Sequence, residues 1–146
     1  MLTISLTKFI NASADDVHSA LLDHEQLGRF FNGSFTVKQP ATCSTGVGLI
    51  REITMRGEKF CEEVTAVTQC CIHYRIIGNK PVKNHYGSIH IIDSSHGCNI
   101  NYLITCQAQW WQPSFVVKKI INHDMSHGLT KLAEYFNGRS INSSRD

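Results

Sequence analysis

Hydrophobic and polar positions alternate along most of this chain, and the period changes in two places. In LTISLTKFI, residues 2–10, Leu2, Ile4, Leu6 and Ile10 fall on one side, the spacing of a half-buried strand. The next stretch, NASADDVHSALLDHEQLGRFF, reads at helical period through Val17 and Leu21. After a break near Asp23-His24 it continues with Leu27, Phe30 and Phe31. Two short helices are predicted, with Ser13 as the cap, Asp15 and Asp16 favourably placed in the first turn, and Asn32-Gly33 as the stop.

From Ser34 to about Ala108 alternation returns in SFTVKQ, VGLIREITM, EKFCEEVTAV, CCIHYRII, HYGSIHIID and CNINYLITCQA. Gly, Pro and Asn between these runs predict consecutive antiparallel strands. Residues 114–136 revert to helical period. Val117, Ile121, Met125, Gly128 and Leu132 share one face, Lys119, Asn122, His123, Ser126, Thr130 and Glu134 the other, and Asn137-Gly138 is the expected end. The order predicts an α+β fold in which a curved antiparallel sheet of seven strands grips a long C-terminal helix, with two short helices between strands 1 and 2. One domain is expected at residues 1–137 and a disordered polar tail at 138–146. A single helix rarely fills the mouth of a wide sheet, so a residual cavity is expected as well.

Composition narrows the function. With 42% hydrophobic and 18% charged residues the chain is neither disordered nor membrane-spanning, and no apolar run approaches the ~18 residues of a spanning helix. A net charge of +2 from scattered basic residues argues against nucleic acid. The N-terminus lacks signal-peptide character, so a cytoplasmic protein is expected. Cys43, Cys61, Cys70, Cys71, Cys98 and Cys106 show no CxxC spacing and read as reduced core residues. His123 and His127 have the i, i+4 spacing of zinc ligands, but the sequence between them is DMS and both point to the solvated face, so no metal is expected. No dinucleotide or phosphate-loop motif is present, and no cofactor is expected.

The wording of the strands resembles the START-like, helix-grip superfamily, whose members include birch-pollen allergen relatives, polyketide cyclase/dehydrase-like proteins and abscisic acid receptors. The resemblance lies in VGLIREITMRG followed by EEVTAV, then in HYRIIGNKPVKNHYGSI, and in the opening helices ADDVHSALLDHEQLGRFF, with His18 where a Trp is usual. It implies that Met55, Arg56 and Gly57 form one lip of a pocket and the loop with Lys80, Pro81 and Val82 the other. Both loops lack the receptor sequences, and the resemblance does not extend to abscisic acid or a phosphatase partner.

Alternation groups Arg51, Ile53 and Met55 on one strand face, and Cys61 with Glu63 on the next strand. A three-residue hairpin loop sets Arg51 opposite Glu63; a two-residue loop sets it opposite Glu62. The family resemblance favours Glu63 facing inward. Tyr74 with Ile76, then Tyr86, Ser88 and His90, then Tyr102 complete the expected cavity wall, closed by Ile121 and Met125 of the long helix. Trp110 and Trp111 are expected to shield one end. The leading reading is a non-catalytic pocket for a small hydrophobic or lipid-like molecule, in a monomer or weak homodimer. A second is a cyclase/dehydratase in which Glu63, Tyr86 or His90 moves protons. A third is a protein-partner module of the chaperone-regulator kind.

Overall fold

A computed structural model describes the backbone of residues 1–145 and the side chains of residues 1–138. The order is β1 (Leu2–Ile10), α1 (Ala14–Leu22), a 3-10 helix (His24–Arg29), β2 (Ser34–Gln39), β3 (Ile50–Met55), β4 (Glu58–Thr68), β5 (Cys71–Ile76), β6 (Lys83–Ser94), β7 (Gly97–Gln107) and α2 (Ser114–Arg145). The strands make one antiparallel sheet ordered β1-β7-β6-β5-β4-β3-β2. This is the expected α+β helix-grip architecture. Strands 1 and 2 lie at opposite edges, so the two short helices carry the chain across the sheet between them.

Local chemistry explains the boundaries. Ser13 accepts a hydrogen bond from the Asp16 amide (3.1 Å), capping α1 as expected. Val17 and Leu21 are buried beneath it, and Leu27, Phe30 and Phe31 continue the apolar seam. Against them the sheet presents Ile4, Ile10, Ile53, Ile72, Ile89 and Ile100, and α2 contributes Leu129, Leu132 and Phe136. Burying each large aliphatic side chain is worth ~1.5–3 kcal/mol before ordering costs. Gly128 has a specific reason to be glycine: a Cβ there would lie 2.1 Å from the Phe31 ring.

The helix does not end at Asn137-Gly138. Its backbone continues to Arg145, and Gly138 does not adopt the left-handed conformation of a helix cap. An internal Gly costs only ~1 kcal/mol relative to Ala, so it permits a stop without enforcing one. Asp146 and the side chains after 138, on which most of the expected tail falls, lie outside the described residues. Among the described residues no helix is long and apolar enough to cross a membrane.

Candidate functional site

The β3–β4 hairpin sets the register of the site. Met55 pairs with Glu58, leaving a two-residue turn of Arg56 and Gly57, both at positive φ (53° and 78°). That is the twist-matched geometry of a tight hairpin. Arg51 therefore pairs with Glu62, and the expected inward Glu63 is corrected. Glu63 lies on the outer face, bridged to Arg75 at 2.8 Å, and Cys61 shares that face.

A similar correction applies to β6. His85, Gly87, Ile89 and Ile91 are its buried positions, so Tyr86 (57% exposed), Ser88 and His90 face outward. The ladder to β7 shifts register between Lys83 and Tyr86, an irregularity that simple alternation does not show. The aliphatic pair Ile89/Ile91 was the available signal for the true core face.

Inside, the polar groups form a row across β3 to β7. Arg51 and Glu62 are both buried. Arg51 donates from Nε (3.1 Å) and Nη2 (2.7 Å) to Glu62 Oε1, and from Nη1 to His24 Nδ1 (3.0 Å). An Arg can only donate here, so His24 Nδ1 must accept, and the imidazole is neutral. Burial first, and then the Arg51 charge, lower the His24 pKa to about 4. The guanidinium also lies over the Tyr74 and Phe35 rings, 5.2 and 5.6 Å from their centroids.

Tyr74 reaches past β6 to touch the Tyr102 hydroxyl with its own. Gly87 makes this possible, because a Cβ there would come within 2.4 Å of the Tyr74 ring. Burial, and secondarily the Glu62 carboxylate, push the Tyr102 pKa upward and keep the phenol protonated. His85 completes the group. Its Nδ1 accepts from the Ile76 amide (3.3 Å), and burial holds its pKa below the ordinary imidazole value.

Arg51, Glu62, Tyr74, His85 and Tyr102, but not His24, border a cavity of about 270 Å³ between the sheet and α2. Its wall is otherwise aliphatic and aromatic, with Leu27, Phe31, Ile72, Ile104, Val117 and Ile121 among its residues. Of the positions expected in the wall, Arg51, Ile53, Met55, Tyr74, Ile76, Tyr102, Ile121 and Met125 line it. Of the expected lips, Arg56, Pro81 and Val82 line it as well, whereas Gly57 and Lys80 do not. At the rim Arg56 forms a two-pronged bridge to Asp124 of α2, with both contacts at 2.7 Å. Trp110 and Trp111 do not shield the cavity: they are 92% and 64% exposed. His123 and His127 stack on the exposed face of α2.

Three functional candidates escaped the sequence reading. Glu62 is the alternative that the resemblance disfavours, His85 lies on the β6 face opposite the expected Tyr86, Ser88 and His90, and no sequence signal marks His24. The hairpin turn Arg56-Gly57 was a usable signal for Glu62. None existed for His24, whose partner is on a distant strand.

A curved sheet gripping one helix around an apolar cavity with a short polar row is the START-like, helix-grip fold. The chain belongs to the family described as polyketide cyclase/dehydrase and lipid transport, whose model matches residues 1–137. No curated protein matches the sequence. Among known structures, a START superfamily protein from Mycobacterium smegmatis is similar at a TM-score of 0.79, with 14% identity over 93% of this chain and 97% of that one. The di-domain ARO/CYC StfQ of the steffimycin biosynthetic pathway is similar at 0.75, with 9% identity over 94% of this chain and 51% of that one. Ara h 8.0201 is similar at 0.72, with 12% identity over 94% and 98%. At these identities the likeness is one of fold.

Proposed function

We propose that this chain binds a small, largely apolar molecule, aromatic, isoprenoid or lipid-like, carrying one hydrogen-bonding group such as a hydroxyl. The observation that carries this reading is the apolar cavity crossed by a single polar row. Both Arg51 bonds to the carboxylate end on Glu62 Oε1, which leaves Oε2 as an acceptor for a ligand donor. The ion pair is already neutral as a unit, so a charged ligand head is not required. The volume lies near the lower end of the usual ~300–1,000 Å³ for ligand sites and suits a compact molecule. Six unpaired cysteines are compatible with a reducing compartment such as the cytoplasm.

The cyclase/dehydratase alternative is favoured by one feature, a neutral imidazole and two phenols within the same wall. In that reading His85, Glu62 and the Tyr74–Tyr102 pair would handle protons, replacing Glu63, Tyr86 and His90, which lie outside the cavity.

Native mass spectrometry of freshly purified protein, followed by organic extraction, tests the binding reading. The expected result is a stoichiometric apolar passenger, lost from Ile121→Trp, which fills the cavity from the helix side. A clean apo mass, together with no uptake of a fluorescent apolar probe, would overturn it. A passenger that the protein converts into a second species on incubation would favour the catalytic alternative.

A further inference from the structure

The outer face of the sheet carries a cluster that the cavity does not use. Cys71 and His73 are two residues apart on β5 and so point to the same side, away from Ile72 and Tyr74 in the cavity wall. His90 of β6 pairs directly with Cys71. One ligating atom from each of the three residues lies within 4.8 Å of the others. Cys71 Sγ is 3.8 Å from His90 Nε2, and the His73 and His90 ring centroids are 5.7 Å apart.

We propose that Cys71, His73 and His90 form a binding site for a zinc-type transition-metal ion, with the fourth position left to water or an external ligand. The donor set is one thiolate and two imidazoles, which favours zinc and its thiophilic neighbours over magnesium or calcium. The geometry fits too. In a tetrahedral site with Zn–S and Zn–N bonds of ~2.3 and ~2.05 Å, the S···N edge is ~3.6 Å, close to the distance already present. A second observation points the same way. His73 Nε2 is buried and has no hydrogen-bond partner among the described residues. A buried polar atom without a partner is uncommon in folded proteins, and a metal ion is one of the groups that accounts for it.

The site is held by backbone pairing rather than by a mobile loop, so little ordering is needed on binding. It also stands where the sheet is least laced, since β5 and β6 pair through only four residues, Cys71 to Tyr74. An ion there would rivet the two strands directly behind Tyr74. The sequence conceals the cluster because its ligands come from an i, i+2 step and a cross-strand neighbour, not from a contiguous spacing.

The test uses the full chain with any affinity tag removed, stripped of metal and kept reduced. Zinc is titrated in competition with a chromophoric chelator, and cobalt serves as the spectroscopic probe. One zinc per chain is expected at micromolar affinity or tighter, together with a thiolate-to-cobalt charge-transfer band. Cys71→Ser should abolish the band and weaken zinc roughly a hundredfold. His90→Gln, at an exposed position that does not threaten folding, should weaken it at least about tenfold. Cys70→Ser should leave both readouts unchanged. Absence of stoichiometric zinc, a cobalt spectrum without the thiolate band, or unaltered binding in His90→Gln would overturn the proposal. Loss of the band in Cys70→Ser would also overturn it, because the thiolate would then be the neighbouring one.

Discussion

His24 is neutral because two things happen to it together: it is buried, and its Nδ1 must accept a hydrogen bond from Arg51 Nη1. An unfolded His24 takes up a proton near pH 6.5, whereas the folded one resists until about pH 4. The unfolded state therefore holds more protons in that window, and stability must fall as pH drops from 6.5 toward 4. Over the whole window the contribution is on the order of 3.5 kcal/mol, from ~2.5 pH units at ~1.4 kcal/mol each. Urea unfolding from pH 7.5 to 4.5 should show this slope in the wild type and a clearly shallower one in His24→Gln, whose amide can still accept from Arg51. His85, depressed in the same direction, supplies part of the slope that remains. An identical slope in the two proteins would remove His24 from the account. At this scale the sequence disclosed Arg51, Tyr74 and Tyr102, because each stands out among aliphatic neighbours at strand period. It could not choose between Glu62 and Glu63, since two adjacent carboxylates differ in face only through the length of a turn.

Turns and pairings decide which side chains reach the cavity. The Arg56-Gly57 turn makes β3 and β4 a tight hairpin and carries Arg56 to Asp124 of the last helix, so sheet and helix meet at the rim through one exposed ion pair. Such a pair adds little to global stability, ~0–1 kcal/mol, but both of its residues line the cavity. Arg56→Gln is expected to leave urea unfolding within ~0.5 kcal/mol of the wild type and to speed release of a bound fluorescent probe severalfold, read by stopped-flow displacement. Unchanged release would show that the hairpin tip does not gate the cavity. Strand and helix positions were legible because alternation and helical period persist over many residues. The facing of β6 is less plain, because Tyr86, Ser88 and His90 offer an inward set of polar contacts, although Ile89 and Ile91 mark the opposite face as the core one. The end of α2 was misread for a different reason, since a glycine marks where a helix can stop, not where it must.

For the molecule as a whole, the order of elements alone was enough to anticipate a sheet that grips a helix and leaves space between them. What the space holds depends on polar groups drawn from five strands, β3 to β7, and their assembly is a property of the folded sheet. One surface feature also decides how the molecule can be observed. Both of the chain's tryptophans, Trp110 and Trp111, stand in water next to Gln112 of the cavity wall. Intrinsic fluorescence is therefore expected to be red-emitting in the folded state and to shift little in denaturant, while far-ultraviolet circular dichroism records the full unfolding transition. A blue emission from the native protein would mean that the pair is covered in solution. Light from this protein reports the surface loop before α2 and is nearly blind to its core, so a spectral change on adding a molecule would signal an event at that loop rather than a change of fold.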